Sequence, residues 1–161
     1  VKHHNLVPNT VGIRSTCNDG SHVLFLDFDK KNLDTVKESL RAIQRKYDAG
    51  IFYILRSSNR HYHAISIRKF LFGEVCEIQH KLKMDKYISF SARRGYWVLR
   101  VSKKDDKPEP KLVSILGSES KRSGSYAHWK WLFMLFQIPV ELHIGGAATV
   151  QFDIYVTEIV K

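Results

Sequence analysis

Cysteine is scarce in this chain. Cys17 and Cys76 are the only two among 161 residues, and neither belongs to a CxxC or Cys/His spacing. No disulfide framework or structural zinc site is therefore expected, and a reducing, cytoplasmic setting is. Long apolar runs are also missing. The longest, around Trp131 to Phe136, falls far short of the roughly 20 residues a membrane span needs. Val1 to Asp19 lacks the apolar centre of a signal peptide, so no membrane partner is expected. The third shortage is acid: 16 Asp plus Glu stand against 26 Lys plus Arg, a formal charge of +10. Such an excess is silent about fold but favours a polyanionic partner, with nucleic acid ahead of an anionic membrane.

What is present is enough for one core. A hydrophobic fraction of 43% and an aromatic fraction of 12% exclude disorder, and the length suits a single domain over 1–161. Residues 1–21 read as an irregular lead-in with Pro8, Gly12 and Gly20. A strand over about 22–29 follows. Leu33, Val36, Leu40, Ile43 and Tyr47 recur at helical spacing, with Thr35 and Glu38 as a capping box and Gly50 as the stop. Ile51–Leu55 and His61–Ile67 form a hairpin around the turn Arg56–Arg60, and a helix is expected from Arg68 to about Met84. A second hairpin is read over Tyr87–Phe90 and Tyr96–Val101, around the turn Ser91–Gly95. Its turn aligns with the first, as a diverged repeat would. Charged loops at 103–111 and 117–125 flank a short strand, Tyr126–Gln137 is a helix apolar nearly all round and so expected to be buried, and Pro139 ends it. Strands over Val140–Ile144 and Thr149–Val156 close the chain. The β-α-β-β-α order with further strands predicts an α+β fold: a mixed or antiparallel sheet with helices packed mainly on one face.

The chemistry gathers on Val23-Leu24-Phe25-Leu26-Asp27-Phe28-Asp29. Aspartate is depleted from strands, yet two occur here one residue apart. They share a face with Cα atoms roughly 7 Å apart, close enough to share a cation, and two like charges so placed call for a cation or a proton between them. His61 and His63 share a face of the hairpin strand, and Asp153 lies in the last strand between Phe152 and Ile154. Carboxylates suit Mg²⁺ or Mn²⁺, and paired metals can clamp the attacking and leaving oxygens of phosphoryl transfer. Each residue also has a structural reading: Asp29 as a cap, the histidines and Trp97, Trp129 and Trp131 as core.

In their order these segments resemble the three motifs of the archaeo-eukaryotic primase superfamily: Leu26-Asp27-Phe28-Asp29, then Ser57 to His63, then Phe152-Asp153. The resemblance implies an RRM-like, ferredoxin-like sheet and a primase or polymerase nucleotidyltransferase, acting in replication of a plasmid or virus. It implies that Asp27, Asp29 and Asp153 hold Mg²⁺ or Mn²⁺, and that His63, with His61, Arg60 and Ser58, contacts nucleotide phosphates. Single-stranded or template DNA, nucleoside triphosphates and other replication proteins are the partners it implies.

His61-Tyr62-His63 also resembles the paired-histidine strand of HUH rolling-circle endonucleases. There the histidines hold one metal and a helix tyrosine attacks DNA; Tyr126, followed by Lys130, matches that tyrosine. Asp29 and Asp153 have no role in that reading, so the primase reading is preferred. A non-catalytic nucleic-acid-binding module is the third class. In all three, Arg93, Arg94, Lys103, Lys104, Lys121 and Arg122 are the expected nucleic-acid contacts, with Tyr96 or Trp97 placed to stack on bases.

Overall fold

The computed structural model describes residues 8–103, 107–138 and 154–158. Its order is β1 (Pro8–Arg14), β2 (His22–Asp29), α1 (Leu33–Tyr47), β3 (Phe52–Ser58), β4 (His61–Phe70), α2 (Phe72–Lys81), α3 (Asp85–Arg94), β5 (Val98–Arg100), β6 (Lys111–Leu116), α4 (Tyr126–Phe136) and β7 (Ile154–Glu158). The fold is α+β. Its strands divide between two antiparallel sheets, one ordered β2-β4-β3-β6 and the other β5-β1-β7. None of the described helices is long and apolar enough to cross a membrane.

The larger sheet positions the site. Its strands are apolar runs, and Leu24, Leu26, Ile54, Leu55, Ala64 and Ile65 are at most 1% exposed. The β2–β4 register pairs Leu24 with Ser66, Leu26 with Ala64 and Phe28 with Tyr62, while Phe25, Asp27 and Asp29 pair with Ile65, His63 and His61. Alternation therefore gives the sheet two faces. On the first, Ser66 Oγ donates to Ala49 O at 2.6 Å, just past α1, whose Val36, Leu40 and Ile43 are buried. The second face takes the other three helices. The His128 ring of α4 meets Phe25 edge-on with centroids 6.4 Å apart, and Gln79 of α2 and Ser91 and Arg94 of α3 line a cavity with Asp27 and His63.

Several local expectations are corrected. The lead-in contains β1, and Gly12 explains why a breaker sits inside it: a Cβ there would clash with Val98 Cγ1 and lie 3.2 Å from Leu99 O, so only glycine lets β5 approach. Helix α1 is capped by Asn32, whose side chain accepts from Thr35 N at 2.8 Å, rather than by a Thr35–Glu38 box. It ends where Asp48 turns left-handed (φ 55). Strand β4 runs on to Phe70, so the helix expected from Arg68 starts at Phe72.

The second hairpin is replaced by α3, and with it goes the proposed repeat. Gly95 ends this helix in the left-handed conformation (φ 82), its N–H donating to Ser91 O at 2.7 Å. Arg93 and Arg94 in its last turn complement the helix dipole. A short apolar run does not by itself separate strand from helix.

Helix α4 is not buried all round. His128 and Leu132 are its buried residues, while Tyr126, Phe133, Met134 and Leu135 are between 42% and 62% exposed. It ends at Phe136 with Gln137 left-handed, ahead of Pro139. The loop at 117–125 is held in place: Lys69 N donates to Ser123 O, Ser125 N to Ile67 O, and Ser120 Oγ to Asp48 O. Val140–Ile144 lies outside the described residues. Strand β7 begins one residue after Asp153, in the sheet of β1 and β5 rather than that of β2 and β4.

Candidate metal centre

The register alone brings two acids and two histidines together. Asp27 faces His63 and Asp29 faces His61 across the β2–β4 ladder, with all four side chains on the second face. His61 Nε2 lies 2.6 Å from Asp27 Oδ1 and its Nδ1 3.2 Å from Asp29 Oδ1, so the ring spans the two carboxylates. His63 Nδ1 approaches the same Asp27 oxygen at 3.4 Å, and the imidazoles meet edge to face with centroids 5.3 Å apart. One ligand atom from each of Asp27, His61 and His63 falls within 4.8 Å of the others. These three can hold one divalent cation.

Electrostatics suits the two rings to different states. The hydrogen bond to Asp27 raises the His61 pKa, with burial opposing it. Burial drives the His63 pKa down to about 4, and the charges of Arg100 and Lys107 add to that drop. His63 is thus a neutral imidazole at neutral pH, the form a metal ligand requires, whereas the Asp27 carboxylate favours the protonated form of His61. Two nitrogens and one carboxylate suit Mn²⁺ better than the oxygen-preferring Mg²⁺. Asp29, 47% exposed at its side chain, orients the far nitrogen of His61 as carboxylates do behind ligating histidines.

Two cavities meet at Asp27. One of about 80 Å³ is lined in part by Gln79, Ser91, Arg94 and Trp97. Gln79 is fixed there by accepting from Trp97 Nε1 at 3.0 Å. The other, an open groove of about 230 Å³, runs past Asp27 and Asp29 to Lys31, Lys83 and Lys86. Nothing local in the sequence marks those lysines; the turn between α2 and α3 delivers Lys83 and the first turn of α3 delivers Lys86.

The remaining expected site residues scatter. Asp153 and Lys104 lie outside the described residues. Arg60 sits in the β3–β4 turn in a left-handed conformation (φ 57), its Nη2 donating to Lys30 O at 3.1 Å. Ser58 lines a separate groove with Arg56 and Lys111. Arg94 donates from Nε to Tyr96 O at 2.8 Å and stacks on that ring, while Arg93, Lys103 and Lys121 are exposed. Trp97 is buried, 5% exposed, against His22 and Phe72, and is core rather than a base platform. Arg122 is engaged inside the fold: it donates to Tyr47 O, Lys69 O and both oxygens of Glu74, and lies over Phe70. Tyr126 begins α4 beside Ile67, whose carbonyl accepts from Ser125 N. Ile67 is four residues beyond His63, roughly 13 Å along the strand.

No protein-family model matches the chain, and no curated protein or solved structure matches it.

Proposed function

We propose that this chain carries out metal-dependent phosphoryl transfer on nucleic acid, in the primase or polymerase sense of nucleotidyl transfer. The observation that carries the reading is the strand register that sets the acid pair of β2 against the histidine pair of β4. Asp27, His61 and His63 hold Mn²⁺, or Mg²⁺ with Asp29 as a further oxygen ligand. A metal bound there supplies charge neutralisation at the transferred phosphoryl group and lowers the pKa of the attacking hydroxyl. His63 offers a neutral nitrogen from a buried position, Asp29 keeps His61 oriented, and the lysine groove receives phosphates. The net charge of +10 fits that substrate. In a primer-extension assay with Mn²⁺, incorporation is expected from the native chain and none from Asp27→Ala with Asp29→Ala, whose circular dichroism stays native. Incorporation that survives the double substitution refutes the reading.

A second reading has its own support. Two imidazoles and one carboxylate around one point form a single-metal donor set, as the HUH resemblance implies, and His61 occupies the gap between Asp27 and Asp29 that a paired-metal site would use. The place of Tyr126 beside Ile67 counts against that residue as nucleophile. Under this reading single-stranded DNA is nicked without nucleotide incorporation, and a covalent adduct, where one forms, survives denaturation. A binding module without catalysis would bind nucleic acid with the same affinity in the aspartate variants.

A further inference from the structure

We propose that the groove lined by Lys31, Lys83 and Lys86 carries the phosphates of a single nucleic-acid strand past Asp27. This rests on the phosphoryl-transfer reading for its substrate class, but the groove stands on its own geometry. Asp27 and Asp29 form one wall, and three exposed lysines from three different local structures converge on the other side. Lys31 follows β2 and precedes the α1 cap, Lys83 occupies the turn between α2 and α3, and Lys86 lies in the first turn of α3.

The backbone at Lys83 is a separate observation. Lys83 is left-handed (φ 58), closing α2 with its N–H donating to His80 O at 3.0 Å. Glycine is the residue that such a closing position favours, and a lysine there carries strain that a charge directed at a ligand would explain. Of the five non-glycine residues with positive φ among those described, three are basic: Lys30, Arg60 and Lys83. Lys30 follows Asp29 directly, and Arg60 is hydrogen-bonded to it. All three therefore border the end of β2 that carries the acids. Helix α3 links this groove to the smaller cavity, since Lys86 stands at its start and Arg94 at its end, and both cavities share Asp27. A strand lying along α3 would meet positive charge on either side of the metal ligands. An isolated triphosphate would need one end of this track and not the other.

The test is fluorescence anisotropy of a labelled dT20 oligonucleotide in EDTA, as a function of salt. Each lost phosphate contact should make the log–log salt slope shallower by about 0.7 for a single strand, so Lys83→Gln with Lys86→Gln should lose about 1.4. Lys83→Gly should weaken binding while leaving the melting temperature the same or higher, because glycine relieves the left-handed backbone. Lys111→Gln, on β6 at the opposite edge of the larger sheet from β2, should leave the slope unchanged. A native slope in the double lysine variant overturns the groove. So does a loss confined to dTTP binding, which would assign the lysines to a nucleotide. The metal reading fails separately: Asp27→Asn should abolish Mn²⁺ binding yet keep dT20 binding in EDTA, whereas the lysine variants should do the reverse.

Discussion

Removing the Arg122 side chain should cost the fold about 3 kcal/mol. The guanidinium donates from Nε to Tyr47 O at 2.9 Å and from Nη1 to Lys69 O at 3.2 Å, which joins the end of α1 to the end of β4. It also forms a fork onto Glu74, at 2.6 Å to Oε2 and 3.3 Å to Oε1, and its centre lies 4.1 Å from the Phe70 ring centroid. Each carbonyl contact contributes about 1 kcal/mol once exchange with water is counted. The Glu74 pair contributes at most about 1 kcal/mol, because the side chains are 23% and 31% exposed and screened. Stacking on Phe70 adds about 0.5–1 kcal/mol. For a chain of this size the loss corresponds to a melting temperature lower by about 6–12 °C. Urea unfolding of Arg122→Ala at pH 7 checks the magnitude, and Arg122→Lys should recover only a minor part because it lacks the fork. The hydrogen bonds from Arg122 lower the Glu74 pKa, so that share of the stability is present above the ordinary carboxylate range and is lost as pH falls through the lowered value. The gap between native chain and variant should therefore narrow in acid. A loss below about 1 kcal/mol, or a salt slope for DNA binding that falls while stability stays native, would show Arg122 to be a nucleic-acid contact instead.

His22 is 4% exposed, and burial lowers its pKa, so the unfolded chain takes up a proton before the folded one does. Stability should hold above about pH 6.5 and fall below it, by at most about 1.4 kcal/mol per pH unit from this group. His22→Gln should show a smaller fall between pH 6.5 and 5 in urea titrations, and an unchanged fall would refute the assignment. Gly12→Ala should destabilise by about 1–3 kcal/mol through the clash with Val98 and Leu99 O, with partial recovery when Val98→Ala is added. A neutral Gly12→Ala would mean that β1 and β5 do not pack as described.

The half of the site on β2 and β4 was legible because a period of two fixes which residues share a face, and Asp27, Asp29, His61 and His63 obey it without a bulge between them. The strand and helix that border the site were legible for the same reason of periodicity. Helix α3 was not: Tyr87 to Phe90 is too short a run to show a period, and Ser91 to Gly95 is as good a helix end as a turn. Strand β1 was hidden by Pro8 and by Gly12, and the purpose of the glycine lies in the approach of β5, which is remote in sequence. Arg122 illustrates the commonest blind spot. A basic residue in a Ser/Gly-rich loop looks free to bind a ligand until Glu74, Tyr47 and Lys69, all distant along the chain, are found around it. The lysines of the groove are the converse, unremarkable in sequence and gathered only where the end of β2 meets the α2–α3 turn and the start of α3.

The central claim is that Asp27, His61 and His63 form one metal site. Anomalous diffraction from crystals of the native chain equilibrated with Mn²⁺ tests it most directly. The account predicts a single strong peak within bonding distance of a carboxylate oxygen of Asp27 and a ring nitrogen of each histidine, with the short Asp27–His61 contact opened to admit the ion. A map with no peak there, and His61 still 2.6 Å from Asp27 Oδ1, would contradict it.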